Sequence, residues 1–170
     1  MFGDSSALLN LFYQRQNELR AVYASLPASC FQADLNDSNI LLDEDGRFAG
    51  LIDFNLCGRE PVLNYAVREA LWAVTDPRLF GEQDSRLYFY DDELDDLRIR
   101  LFLENIGYVQ ETYEFSDRER EAFPILLRYL NSFWWFHLDE IKRIEEDPCK
   151  IGQLFDWLEH QMNRDDIRLP

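Results

Sequence analysis

Lysine is nearly missing from this 170-residue chain: only Lys142 and Lys150 occur, both in its last third. Glycine is sparse, and its seven occurrences form no G-x-G-x-x-G, so no glycine-rich loop is offered to cradle phosphates. The three cysteines, Cys30, Cys57 and Cys149, are odd in number and lack metal-site spacing, which points to reduced thiols and a cytoplasmic setting. His137 and His160 stand too far apart for a metal cluster and are expected as surface or packing residues. No apolar run approaches the roughly 20 residues that span a bilayer. The N-terminus has no basic segment leading into an apolar one, so no signal peptide is expected. Positive charge is scarce: 17 Lys and Arg face 33 Asp and Glu, a net charge of −16. Nucleic acid and anionic membrane surfaces both reward positive charge and are excluded as expected partners. The charge is compatible with steering a cationic substrate, and equally with simply keeping the chain soluble.

What the chain does have is apolar mass. Hydrophobic residues make up 46% and aromatics 15%, enough for a substantial core, and the length fits one domain over residues 1–170. One stretch carries chemistry: Phe31 to Gly58, FQADLNDSNILLDEDGRFAGLIDFNLCG. Phosphoryl transfer needs a carboxylate to take or orient the proton of the attacking hydroxyl. It also needs an amide oxygen and a second carboxylate to hold a metal that neutralises phosphate charge. Asp34, Asn39 and Asp53 fit those roles in that order. Asp34 to Asn39 has the D-L-x-x-x-N spacing of a kinase catalytic loop. Ile40-Leu41-Leu42 then reads as a strand, Asp43-Glu44-Asp45-Gly46 as a tight turn, and Arg47 to Ile52 as the returning strand. A hairpin carries its end back to its start, so Asp53 is expected beside Asn39. Mg²⁺ suits such a pair, since it takes one or two protein oxygens and completes its shell with phosphate and water.

The stretch resembles the aminoglycoside phosphotransferase and choline kinase-like family, relatives of the protein kinases. Their pattern is roughly H-G-D-x-x-x-x-N-I-L, a hairpin, then I-D-F or I-D-W. Here it reads Gln32-Ala33-Asp34-Leu35-Asn36-Asp37-Ser38-Asn39-Ile40-Leu41 and Leu51-Ile52-Asp53-Phe54. Gln32 replaces the usual His and is expected to brace the loop by hydrogen bonding. Asn55 stands where protein kinases have Gly, and Gly58-Arg59-Glu60-Pro61 is a weakened G-x-G-D-P. The resemblance implies Asp34 as catalytic base, Asn39 and Asp53 as Mg²⁺ ligands, and ATP as phosphoryl donor. It implies an α+β, predominantly helical fold: the C-terminal lobe of a protein-kinase-like fold with an embedded β-hairpin. Asn64 falls near an Asp that braces the catalytic loop in that family. Such kinases hold the α- and β-phosphates with a lysine on an N-terminal strand. Only 33 residues precede Asp34 here, and they read as a helix, so the N-lobe is expected to be absent and the site incomplete without one.

Elsewhere the apolar spacing predicts helices over 4–25, capped by Asp4 or Ser5, and over 62–74 after Pro61. Residues 76–92 read as a loop whose rings, Tyr88-Phe89-Tyr90, anchor it to the core or meet a substrate amine. A helix over 91–105 is expected to close at Gly107, followed by an extended linker, 108–115. Ser116 and Glu119 form a capping box for a helix to about 146, with a break or kink at Pro124 and a buried aromatic run, Phe133 to Phe136. A last helix over 151–162 and a loose tail, 165–170, complete the chain.

Two functions follow. One is an ATP-dependent phosphotransferase for a small hydroxylated molecule, cationic or neutral, completed by an N-lobe from elsewhere. The other is a non-catalytic kinase-like module. An uncovered N-lobe face would expose apolar surface near the hairpin and favour a homodimer or a protein partner.

Overall fold

The computed structural model describes residues 5–75, 89–132 and 135–170. The chain is α+β and mostly helical. Its elements run α1 (Ser5–Tyr23), β1 (Ala28–Gln32), β2 (Ile40–Leu42), β3 (Phe48–Leu51), β4 (Cys57–Pro61), α2 (Val62–Ala73), α3 (Asp92–Gln110), α4 (Asp117–Ser132), α5 (Trp135–Arg143) and α6 (Pro148–Asn163). Among the described residues no helix is long and apolar enough to cross a membrane.

The four strands form two antiparallel pairs. β1 pairs with β4, from Ala28 opposite Pro61 to Gln32 opposite Cys57. β2 pairs with β3 as the expected hairpin, with an irregularity between Leu41 and Leu42. Gly46 takes φ +76° at its tip, the conformation that Asp-Gly turns require. The Asp43 carboxylate closes the turn by accepting from the main-chain N–H groups of Asp45 and Arg47, at 3.0 and 2.8 Å.

Helix periodicity produces the core. Leu63, Val67, Ala70 and Leu71 on α2 meet Ile99, Phe102 and Ile106 on α3 and Phe123, Leu126 and Leu127 on α4. A second cluster joins Leu154, Leu158 and Met162 of α6 to Phe89 and Ile144, with Leu8, Leu11 and Phe12 of α1 packed against it. A closed polar ring links α3, α4 and α6. The Arg98 guanidinium donates to Asp95 and to Asn131, Asn131 donates to Gln161, and Gln161 donates back to Asp95, with distances of 2.7 to 2.8 Å.

Three expectations are corrected. Helix α3 does not close at Gly107 but runs on to Gln110, because Ile106 is fully buried and packing outweighs glycine's low propensity. The extended linker therefore shrinks to residues 111–116, which open on a turn. The helix expected to about 146 is described as α4, to Ser132, and α5, Trp135–Arg143, and residues 133–134 between them lie outside the described residues. Of the break or kink expected at Pro124, the break is absent: α4 continues through it, held by Ala122, Phe123, Leu126 and Leu127 in the core. The tail is not loose, since Ile167 is buried and Gln110 donates to the carbonyl of Pro170 at 3.1 Å.

The capping box forms as read, with the Ser116 N–H donating to Glu119 at 2.9 Å and the Glu119 N–H to Ser116 at 3.4 Å. Phe89 does anchor to the core, edge-on to Trp157 at 4.9 Å. Tyr88 and the rest of 76–88, Asp4, and the rings of Phe133 to Phe136 lie outside the described residues.

Candidate active site

Strand β1 delivers Asp34 and strand β4 returns the chain just after Asp53, so one ladder brackets both carboxylates. Between them Asn36 caps a single 3-10 turn, Asp37–Asn39, by accepting from the Ser38 N–H at 3.0 Å. That turn swings Asn39 inward, where it is buried at 6% exposure. The Asn39 amide nitrogen donates to the Asp34 main-chain carbonyl at 2.9 Å and to its carboxylate at 3.1 Å. Both partners are acceptors, so only the nitrogen can face them. The amide oxygen is thereby turned away from Asp34 and left available to a cation. Asn36 donates to the other Asp34 carboxylate oxygen at 3.0 Å, so two amides fix the carboxylate plane.

The hairpin brings Asp53 back as its spacing predicts. The Ile52 N–H donates to the Asn39 carbonyl at 3.0 Å. Asp53 itself sits at φ 57°, ψ 70°, the one non-glycine residue with positive φ among the described residues. Asp and Asn tolerate that left-handed conformation best, and such outliers cluster at functional sites. Among the described residues its exposed carboxylate accepts only a long bond, 3.4 Å, from the Asn55 N–H.

Gln32 ties the two halves together. Its amide nitrogen donates to the carbonyls of Asp53 at 2.5 Å and Ile52 at 3.3 Å, and its amide oxygen accepts from the Asp34 N–H at 2.7 Å. Gln32 is thus the expected brace. Asn64 is not: it donates to Glu60 instead. The nearer support is Tyr65, whose hydroxyl donates to the Gln32 carbonyl at 3.3 Å and whose ring stacks on Phe31 at 4.1 Å. Burial, helped by the Glu69 carboxylate, pushes the Tyr65 phenol up to about 12, so it stays a donor at any physiological pH.

Asp34 opens onto a cleft of about 230 Å³ lined by Leu35, Asn36, Arg68, Glu69 and Trp72. Sequence reasoning passed over the last three. Arg68 pairs with Glu60 at 3.3 Å and with Glu69 at 2.9 Å, and lies over the Tyr65 ring at 5.3 Å. Trp72 is 47% exposed. The available signal was a tryptophan four residues after an arginine, on a helix whose apolar face was already filled.

Asn39 and Asp53 carry hard oxygens of the kind Mg²⁺ takes one or two of from a protein. Among the described residues no three or more His, Cys, Asp or Glu side chains form a group that could hold a metal ion. No known protein family, curated protein or solved structure matches the chain.

Proposed function

We propose that the chain carries the catalytic half of an ATP-dependent phosphotransferase acting on a small hydroxylated molecule. One observation supports this above all: Asp34, Asn39 and Asp53 share a single hydrogen-bonded framework, braced by Gln32, at the edge of a small cleft. In this reading the cleft admits the acceptor, and an amine on it would meet Trp72 and Glu69. The Asp34 carboxylate, held by Asn36 and Asn39, takes the hydroxyl proton. The hydroxyl oxygen bonds to the γ-phosphorus of ATP as the bond to the β,γ-bridging oxygen breaks and ADP leaves. Asn39 and Asp53 would hold Mg²⁺, which when bound neutralises phosphate charge. The fold is then the C-lobe of a protein-kinase-like enzyme. The remaining phosphate contacts, which a lysine and a glycine-rich loop make in such enzymes, come from another polypeptide segment. Cys30, Cys57 and Cys149 are free and exposed, in keeping with a reducing cytoplasm.

The test is calorimetry of Mg²⁺–ATP binding on this chain and on Asp53→Ala. Binding that disappears in the variant supports the reading. Equal binding by both, or none at millimolar ATP, counts against it. A second reading, a non-catalytic kinase-like module that binds a protein or a second copy, is favoured by the apolar side chains exposed along the hairpin.

A further inference from the structure

We propose that the β2–β3 hairpin and the turn after it dock a separate polypeptide whose apolar face is rimmed by lysine or arginine. The inference rests on the interaction reading of this surface and not on the metal chemistry. Leu41, Leu42, Phe48, Ile52, Phe54 and Leu56 all lie within 16 residues and all are exposed, Phe48 at 66%, Leu56 at 61% and Leu42 at 60%. Leu42 and Phe48 stand opposite each other across the hairpin, so two of the most exposed of these side chains are neighbours, and exposed apolar groups gathered in this way mark interaction sites. Neither strand has a third strand beside it among the described residues, and the two edges of the pair are open. A two-stranded hairpin alone is marginal in water and gains from being covered.

Charge selects the occupant. The hairpin tip carries Asp43, Glu44 and Asp45 against Arg47, which is already paired with Asp45 at 3.0 Å. A second copy would bring the same acids and the same −16 net charge to the contact. Like charges facing each other penalise that arrangement, and a basic rim is rewarded. The apolar centre supplies affinity, and the acidic tip supplies steering and selectivity.

The full 170-residue chain is titrated, at about 150 mM salt to damp non-specific attraction, with a labelled peptide of alternating lysine and leucine. Two comparison peptides alternate lysine with serine and glutamate with leucine. The lysine–leucine peptide is expected to bind at least about tenfold tighter than either. Phe48→Asp and Leu42→Asp, with unchanged far-UV circular dichroism, are each expected to weaken it about tenfold, and Glu44→Lys by about threefold. Mg²⁺–ATP binding should be unaffected by all three. Equal binding of the lysine–serine peptide, or of the hairpin variants, overturns the proposal. So does a dimer in sedimentation that Phe48→Asp dissolves, which would make the second copy the occupant. Loss of Mg²⁺–ATP binding in Asp53→Ala, or its absence throughout, bears on the phosphotransferase reading alone.

Discussion

Single side chains decide whether this site exists. Gln32 makes three bonds that no neighbour duplicates, so Gln32→Ala leaves the Asp34 N–H and the Asp53 carbonyl without that partner. Urea unfolding should show a loss of about 1–3 kcal/mol, and any Mg²⁺–ATP affinity should fall with it. Unchanged stability would mean that the two halves of the site are held by the strands alone. His137 makes a second residue-scale prediction. It is buried beside Phe89 and Trp157, and its Nδ1 donates to the Ser132 carbonyl at 2.9 Å. Burial, reinforced by the Arg98 charge and opposed by the Ser132 bond, pushes the imidazole down to about 3. The unfolded chain takes up a proton near pH 6.5 that the folded chain refuses. This contribution to stability is therefore complete above pH 6.5 and is lost as the pH falls from there towards 3. The slope is about 1.4 kcal/mol per pH unit. Urea midpoints between pH 7 and 4.5 should follow that slope, and His137→Phe should flatten it. An imidazole that titrates near 6.5 by NMR in the folded chain would refute this.

At the scale of elements, the polar ring of Asp95, Arg98, Asn131 and Gln161 is the joint between α3, α4 and α6. A ring in which each member both satisfies and is satisfied leaves little room for slippage. Gln161→Ala opens it at two points, stranding a donor on Asn131 and leaving that Asp95 oxygen to Arg164 alone at 3.2 Å. A loss of about 3 kcal/mol is expected, against about 1 kcal/mol for removing an exposed hydrogen bond. A smaller loss would place water in the gap. Elements also show what was legible beforehand. The starts of α2 and α4 were readable because Pro61 and the Ser116–Glu119 pair act within one turn. The hairpin was readable from Asp45-Gly46, and with it the neighbourhood of Asn39 and Asp53. The β1–β4 pairing was not, since ASCFQ and CGREP carry no alternation and are joined only by long-range register. The end of α3 and the docking of Ile167 were equally hidden. Both depend on a core assembled from distant helices. The cleft residues Arg68, Glu69 and Trp72 share that fate, because what they face is settled by the loop before Asn39.

For the whole molecule the dominant physical quantity is a net charge of −16. Self-repulsion of that size opposes compaction, and salt relieves it. Raising NaCl from about 20 to about 300 mM should therefore raise the melting temperature, by about 2–4 °C for each kcal/mol recovered. A fall would mean that ion pairs such as Arg68–Glu60 and Arg15–Glu18 outweigh the repulsion.

The ladder between β1 and β4 also sets an order of events during synthesis. Gln32 leaves the ribosome 25 residues ahead of Cys57, its partner across the ladder. At about 5–20 residues per second that is a delay of about 1–5 s. Through that interval β1 is an unpaired strand beside a half-made loop. The Asp34–Asn39 contacts and the hairpin can form from the chain already made, but the ladder that brackets them closes only when β4 arrives, so a pause in translation just after the hairpin would hold β1 unpaired for longer.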